Sequence, residues 1–187
     1  MRAVVVYESM YGNTRVVAEA IGEGLRSACD VAVIPVGRAA EAVEGAELLV
    51  VGGPTHAHGM TRPRSREAAV EAARKPESPI VAEDGADGTG VREWLASLGH
   101  VNVMAAAFDT RMTGPPAFTG RASKGISREL GRHGGHLVAS PESFLVTKEN
   151  ALLAGEEARA REWGARLAAE LGCIVPTGDP RSPSPRA

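Results

Sequence analysis

Short runs of apolar residues recur along the chain and predict buried β-strands. Ala3–Tyr7 and Leu48–Gly52 are continuously apolar, which is typical of strands covered on both faces. Three further strands are predicted at Val31–Val36, Val101–Phe108 and Leu137–Val146, the last one interrupted by Pro141.

Apolar residues at helical spacing predict helices between these strands. Val17, Ile21, Leu25 and Ala28 lie on one face of a predicted helix over Thr14–Ala28. Further helices are predicted at Ser65–Arg74, Val91–Leu98, Thr119–His133 and Glu156–Leu171. Residues 76–90 are rich in proline, aspartate and glycine and are predicted to form an irregular insertion.

The alternation of strands and helices predicts the architecture. Strands separated by helices pair in parallel through right-handed crossovers. Five such units predict a doubly wound α/β domain of three layers, in which a ligand lies beyond the carboxyl ends of the strands. We assign this domain to residues 1–174. Residues 175–187 are rich in proline and poor in apolar surface, so they are predicted to be a disordered tail.

Composition excludes several classes of protein. The net charge of −2 lacks the basic excess of a nucleic-acid-binding protein. No segment approaches the roughly 18 apolar residues that a membrane span requires. Cys29 and Cys173 form neither a CxxC motif nor a metal-ligand cluster. We interpret them as reduced thiols, which predicts a cytoplasmic protein.

The turn after the first strand, Glu8–Thr14, has the chemistry of a phosphate site. It leads from a buried strand directly into a helix, whose N-terminal amides attract anions. Gly12 allows close approach of the backbone, and Ser9, Asn13 and Thr14 add polar donors. The turn contains neither the nucleoside-triphosphate motif GxxxxGK[ST] nor the dinucleotide motif GxGxxG. A simple capped turn is the alternative interpretation.

Three segments carry a resemblance to a known family. Val4–Thr14, VVVYESMYGNT, resembles the phosphate loop of flavodoxins and of flavodoxin-like quinone reductases. Gly52–Gly59, GGPTHAHG, resembles the second loop of this family, and Phe108–Met112, FDTRM, falls where the third loop follows the fourth strand. The resemblance spans residues 2–172 and implies a five-stranded sheet of order 2-1-3-4-5 with one non-covalent FMN.

The resemblance also implies which residues hold the FMN. The phosphate contacts fall on the side chains of Ser9, Asn13 and Thr14 and on the amides of Met10, Tyr11 and Gly12. Contacts to the isoalloxazine ring fall on Pro54, Thr55, His56, Ala57, His58 and Gly59. The other side of the ring, or its pyrimidine edge, falls to Asp109, Thr110, Arg111 and Met112. The second and third loops lack the Trp or Tyr that commonly flanks the ring, and His58 and Phe118 are the nearest aromatic side chains.

Other groups of residues give weaker indications of a functional site. His56 and His58 form a His-x-His pair without further metal ligands nearby, so no metal site is predicted. Arg62, Arg64 and Arg66 follow the second loop, where they either receive an anionic substrate or form a solvated helix start. No residue is assigned as a catalytic acid or base, because a flavin would carry the chemistry.

Three functions remain open at this point. The first is an FMN-dependent oxidoreductase that passes electrons to a quinone-like acceptor. The second is a one-electron carrier, and the third is a binding module of the same fold that has lost FMN. Carriers of this family are usually strongly acidic, so a net charge of −2 favours the enzyme. The predicted partner is a small molecule or a redox protein, and the oligomeric state is left open.

Overall fold

A parallel sheet forms the centre of the protein in a computed structural model, which describes residues 1–174 except the side chains of Glu41, Cys173 and Ile174. The strands are β1 (Arg2–Tyr7), β2 (Asp30–Pro35), β3 (Leu48–His56), β4 (Gly59–Met60), β5 (Met104–Met112), β6 (His136–Leu137) and β7 (Glu142–Val146). The helices are α1 (Asn13–Leu25), α2 (Ala39–Ala42), α3 (Pro63–Ala73), α4 (Val91–Ser97), α5 (Pro116–Thr119), α6 (Ala122–Arg132) and α7 (Glu156–Ile174). A 3₁₀ turn, Val36–Arg38, precedes α2.

The strand order confirms the predicted topology. The sheet runs β2-β1-β3-β5-β6, and β7 also pairs with β5. The strand β6 pairs with Met104–Ala105 and β7 with Phe108–Met112, both in parallel. These two segments therefore form one edge strand, interrupted where Pro141 was expected to interrupt it. Counted in this way, the order is 2-1-3-4-5.

Two elements differ from their predicted bounds at the edge where a ligand is expected. β5 ends at Met112 instead of Phe108, because Asp109–Met112 pair with Ser143–Val146 of β7. β3 ends at His56, where it turns back into the short antiparallel strand β4. The second segment, Gly52–Gly59, was expected to be a loop, so this part of the prediction is wrong. In both cases backbone pairing, not apolar sequence, extends the strand.

The sheet is covered on both faces, because successive strand residues point to opposite sides. One face packs on α1 and α7, where the rings of Phe108, Phe144 and Trp163 meet edge to face at centroid distances of 6.3–6.4 Å. The other face packs on α4 and α6 through Trp94 and Ile126. These layers confirm the predicted three-layer arrangement.

The ends of the chain add two observations. The tail predicted at residues 175–187 lies outside the described residues, so the domain boundary at residue 174 stays a prediction. No helix in the described part of the chain is long and apolar enough to cross a membrane.

Close contact between α1 and α7 fixes the helix that leads into the expected site. A Cβ at Gly24 would lie less than 3.0 Å from the carbonyl oxygen of Arg161, and a Cβ at Gly164 less than 3.0 Å from that of Ile21. The two glycines therefore allow the helix backbones to touch. This contact holds the C-terminal half of α1 against α7.

We predict that Gly164→Ala destabilises the protein by about 1–3 kcal/mol, because the added methyl group meets backbone, which cannot rotate away. Gly172→Ala is the matched control in the same helix, since a Cβ at Gly172 meets nothing within 4 Å. The control is expected to stabilise by roughly 0.5–1 kcal/mol through helix propensity. Urea unfolding of both variants checks this, and equal stabilities would contradict the close helix contact.

Candidate functional site

A cavity of about 190 Å³ opens where the carboxyl ends of β1, β3 and β5 meet. The winding reverses between β1 and β3, and ligands of such sheets bind at this point. The cavity is lined by Met10, Tyr11, Asn13, Thr14, Pro54, Thr55, His56, Thr110, Arg111, Met112, Val146 and Asn150. Residues from all three sequence-predicted segments therefore lie around one space.

A larger cavity, of about 550 Å³, lies by the ends of β1 and β2. Its wall includes the insertion, from which Glu83 forms an ion pair with Arg15 at 2.6 Å. This cavity contains residues of the first predicted segment but none of the second or third. The smaller cavity is the better candidate because it joins the three segments.

The N-terminus of α1 opens on the smaller cavity. Gly12 precedes the helix with φ of +93°, a conformation that side-chain-bearing residues rarely adopt, and no side chain caps the helix there. Its first-turn amides therefore keep their capacity to bind an anion. The Ser9 hydroxyl accepts from the Gly12 amide at 3.1 Å and keeps its own proton for donation, but Ser9 lies in the wall of the larger cavity and not in that of the smaller one. These neutral donors suit a phosphate group.

A hydroxyl pair joins this turn to β5. The Oγ1 atoms of Thr14 and Thr110 lie 2.7 Å apart, and both residues are buried. One hydroxyl donates to the other, so the pair keeps one proton with which to bind a ligand. The sequence predicted both residues as cofactor contacts but not that they contact each other, since they are 96 positions apart.

Asn150 and Val146 line the cavity and were missed by the sequence analysis. The side-chain amide of Asn13 donates to the backbone oxygen of Asn150 at 3.0 Å and to its Oδ1 at 3.2 Å. Asn150 has φ of 62°, which asparagine tolerates better than most residues. The asparagine in a short polar segment after the last strand was the available signal.

The second segment is a tight hairpin. His56 pairs with Gly59, which leaves Ala57 and His58 as a two-residue turn with φ of 47° and 71°. Such turns normally use Asn-Gly, and each left-handed non-glycine residue costs roughly 1–3 kcal/mol. His56, Ala57 and His58 are exposed. Pro54, Thr55 and His56 line the cavity, whereas Ala57, His58 and Gly59 continue beyond its lining.

The start of α6 holds the second and third segments together. The Ala122 amide donates to Thr55 Oγ1 at 2.9 Å, and the Ser123 amide donates to Asp109 Oδ2 at 2.7 Å. Asp109 is fully buried and does not line the cavity. Its predicted contact with a ligand is therefore not supported by its position, and its observed role is to cap α6.

The remaining third-segment residues lie in β5 and not in a loop after it, which corrects the sequence expectation. Thr110, Arg111 and Met112 line the cavity. Arg111 Nη1 donates to the carbonyl oxygens of Met112 at 3.2 Å and Gly114 at 2.9 Å, and to Thr119 Oγ1 at 3.1 Å. Arg111 thereby orders the segment that leads into α6.

A buried polar network lies beside the first turn. The Glu8 carboxylate accepts from the Thr61 hydroxyl and, at 2.8 Å, from the Val91 amide. Arg66 donates to Thr61 Oγ1 at 3.0 Å and pairs with Glu93 at 2.8 Å. Burial raises the pKa of the Glu8 carboxyl, against the two hydrogen bonds and the Arg66 charge, which lower it.

This network decides between the two interpretations of the arginines after the second loop. Arg66 is 2% exposed and bound within the network, so it is not available to a substrate. Arg62 and Arg64 are exposed at the start of α3 and do not line the cavity. For Arg62 and Arg64, the solvated helix start is the better description. Across the residues described, no group of three or more His, Cys, Asp or Glu side chains forms a metal site.

Comparison with known proteins agrees with this architecture. A doubly wound sheet of this order, with a cavity at its switch point, defines a flavodoxin-like α/β protein. The family model for flavodoxin matches residues 5–163, so the chain belongs to the flavodoxin family. No curated protein matches the chain.

Solved structures share the fold at low sequence identity. A flavodoxin from the domain Archaea is 22% identical with a TM-score of 0.62, and 92% of this chain covers 99% of that one. Oxidised flavodoxin 1 from Bacillus cereus is 18% identical, with a TM-score of 0.61 and coverages of 94% and 99%. A WrbA-like flavodoxin protein from Agrobacterium tumefaciens is 20% identical, with a TM-score of 0.59 and coverages of 90% and 95%.

We predict a pH dependence of stability from Glu8. Its pKa is raised in the folded protein above the ordinary 4.5, so the folded state binds this proton more tightly than the unfolded state. The unfolding free energy of the wild type should therefore fall, relative to Glu8→Gln, as the pH rises above 4.5. The relative loss should level off once Glu8 is ionised.

Urea unfolding between pH 4 and pH 8 measures this difference. Glu67→Gln is the control, because Glu67 is exposed on α3 and its removal should leave the wild-type profile unchanged. A constant stability difference between wild type and Glu8→Gln across the whole range would show that Glu8 does not titrate abnormally.

Proposed function

We propose that the protein binds FMN non-covalently in the 190 Å³ cavity and acts as an oxidoreductase that passes electrons from a reduced donor to a quinone-like acceptor. The observation that carries the proposal is the uncapped N-terminus of α1 at a cavity bounded by two further segments of the family pattern. Bound FMN would supply the electron-accepting ring, and the protein would supply its binding and environment.

The donor set of the first turn supports a phosphate group. The donors in this turn are all neutral groups. They are the amides at the start of α1, the Ser9 hydroxyl and one hydroxyl of the Thr14–Thr110 pair. Arg15, in the first turn of α1, is held by Glu83 and Glu19. A phosphate here would therefore be recognised by hydrogen bonds and the helix dipole.

The surroundings of the second and third segments support a planar ring. Tyr11 lines the cavity, and its hydroxyl donates to the Ala69 carbonyl oxygen at 3.2 Å, which fixes an aromatic side chain in the wall. Pro54 and Met112 add apolar surface. Tyr11 is thus a better candidate for a ring or ribityl contact than His58, which lies outside the lining.

An apolar rim supports a small aromatic acceptor. Met112, which lines the cavity, is 47% exposed, and Phe118, which precedes the Thr119 that Arg111 binds, is 77% exposed. A net charge of −2 gives little electrostatic steering toward a basic redox protein. Both features favour a quinone-like acceptor over the one-electron carrier. A cytoplasmic location stays a prediction from the two cysteines.

We predict that Ser9→Ala and Thr14→Val each weaken FMN binding by about ten- to a hundredfold, since each removes a hydrogen bond to a charged group worth roughly 1.5–3 kcal/mol. Riboflavin, which lacks the phosphate, is the matched ligand control and should lose little affinity. Fluorescence titration of the apoprotein gives both constants, and thermal unfolding confirms that the variants fold. Equal losses of affinity for FMN and for riboflavin would show that this turn does not bind the phosphate.

We predict that the FMN complex reduces small quinones and that its reduction shows little one-electron-reduced flavin. Stopped-flow oxidation of the reduced complex by a benzoquinone tests the acceptor, and spectroelectrochemical titration measures the one-electron form. If the benzoquinone oxidises the reduced complex no faster than it oxidises free reduced FMN, the proposed quinone-reducing activity is contradicted. A stable one-electron form over a wide potential range would place the protein with the carriers.

A further inference from the structure

One arginine in the wall of the candidate cavity has no partner for its charge. Arg111 lines the cavity, and no carboxylate in the described part of the chain lies within 4.0 Å of its guanidinium. Its Nη1 is bound to Met112, Gly114 and Thr119, but these acceptors are carbonyl and hydroxyl oxygens, which carry no net charge. Its Nε is buried without an acceptor.

Three other arginines that are held in the fold are neutralised by carboxylates, whereas Arg2, Arg92 and Arg121, like Arg111, donate to uncharged oxygens. Arg15 pairs with Glu83 at 2.6 Å, Arg66 with Glu93 at 2.8 Å, and Arg159 with Glu156 at 2.6 Å. Arg111 differs from all of these in the described chain, because it lines the candidate cavity and its buried Nε has no acceptor. An unpaired charge that is partly withdrawn from water is costly unless a ligand of opposite charge compensates it.

Asp109 is the nearest acidic residue along β5, two positions before Arg111. Its Oδ2 accepts from the Ser123 amide at the start of α6, so its charge faces a helix N-terminus. Asp109 does not line the cavity, whereas Arg111 does. The described lining of the cavity contains no carboxylate, so Arg111 gives it a positively charged side chain at the end of β5.

We propose that Arg111 sets the charge preference of the cofactor site, so that the site binds the anionic reduced form of FMN more tightly than the neutral oxidised ring. This inference rests on the proposed function. Transfer of one hydride from a hydride donor adds two electrons and one proton to the ring, which then carries one negative charge. Arg111 stabilises that charge, and the first-turn donors hold the phosphate equally in both forms.

The wild-type protein provides the first test. Tighter binding of the reduced form raises the two-electron midpoint potential of bound FMN above that of free FMN. Spectroelectrochemical titration of the complex at pH 7 gives this potential directly. A bound potential at or below the free value overturns the proposal, whatever the variants do.

Arg111→Gln provides the second test. The variant should bind reduced FMN about tenfold more weakly relative to oxidised FMN, which lowers the two-electron midpoint potential by about 30 mV. Arg111→Lys keeps the charge and should recover most of that potential. The affinity for oxidised FMN, measured by fluorescence, should change less than the affinity for the reduced form.

Two controls separate charge from structure. Thr119→Ala removes one loop contact of Arg111 without changing charge, and Arg64→Gln removes an exposed charge outside the cavity. Both should keep the wild-type potential. The proposed role of the Arg111 charge is contradicted if the midpoint potential shifts as much in Thr119→Ala as in Arg111→Gln. It is also contradicted if the midpoint potential of Arg111→Gln equals that of the wild type. Absence of FMN binding by the wild type would instead overturn the proposed function, and this inference with it.

Discussion

The structure of the candidate site depends on how the backbone amides at two helix N-termini find their acceptors. Both α1 and α6 begin at the edge of the sheet where the parallel strands end. The first amides of α6 are satisfied within the fold, by Thr55 and Asp109. No side chain caps α1, whose preceding residue, Gly12, is in a left-handed conformation. Helix-end amides must find an acceptor in protein, water or ligand, so of these two helix ends α1 is the one without a side-chain acceptor at its N-cap.

The N-terminus of α6 positions the segments that surround the N-terminus of α1. Because α6 binds Thr55 of β3 and Asp109 of β5, it fixes two of the three segments that bound the cavity. A bridge between His58 and Gly120 ties the hairpin to the same place, and a Cβ at Gly120 would collide with the His58 backbone. The Thr14–Thr110 pair then joins the α1 turn to β5. The cavity is therefore held by backbone-directed hydrogen bonds from regular elements, which supports a preformed ligand site.

The amino-acid sequence predicts the parts of this arrangement that local patterns encode. Continuous apolar runs identified the inner strands, and Pro141 located the break in the edge strand. The pattern failed at Asp109–Met112, because a polar strand end has no hydrophobic period and is extended by pairing with β7. Asn150 and the Glu8–Thr61–Arg66 network were missed because their partners lie far away along the chain. Motif resemblance located ten of the twelve residues that line the cavity. It did not separate Asp109, which caps a helix, from Arg111, which lines the cavity.

The same region concentrates the energetic costs of the fold. The buried polar atoms without a partner in the described chain are Asp109 Oδ1, Arg111 Nε and Ser123 Oγ, all between the end of β5 and the start of α6. A buried polar group left unpaired costs roughly 1–3 kcal/mol. The left-handed Ala57 and His58 add backbone strain on the adjacent hairpin. Apolar residues at these buried strand-end positions would remove the unpaired atoms, yet they would also remove the α6 cap and the unpaired cavity charge. The costs therefore lie where the three segments meet and not in the two apolar cores, and of these three residues Arg111 alone lines the cavity, whereas Asp109 is held to the start of α6.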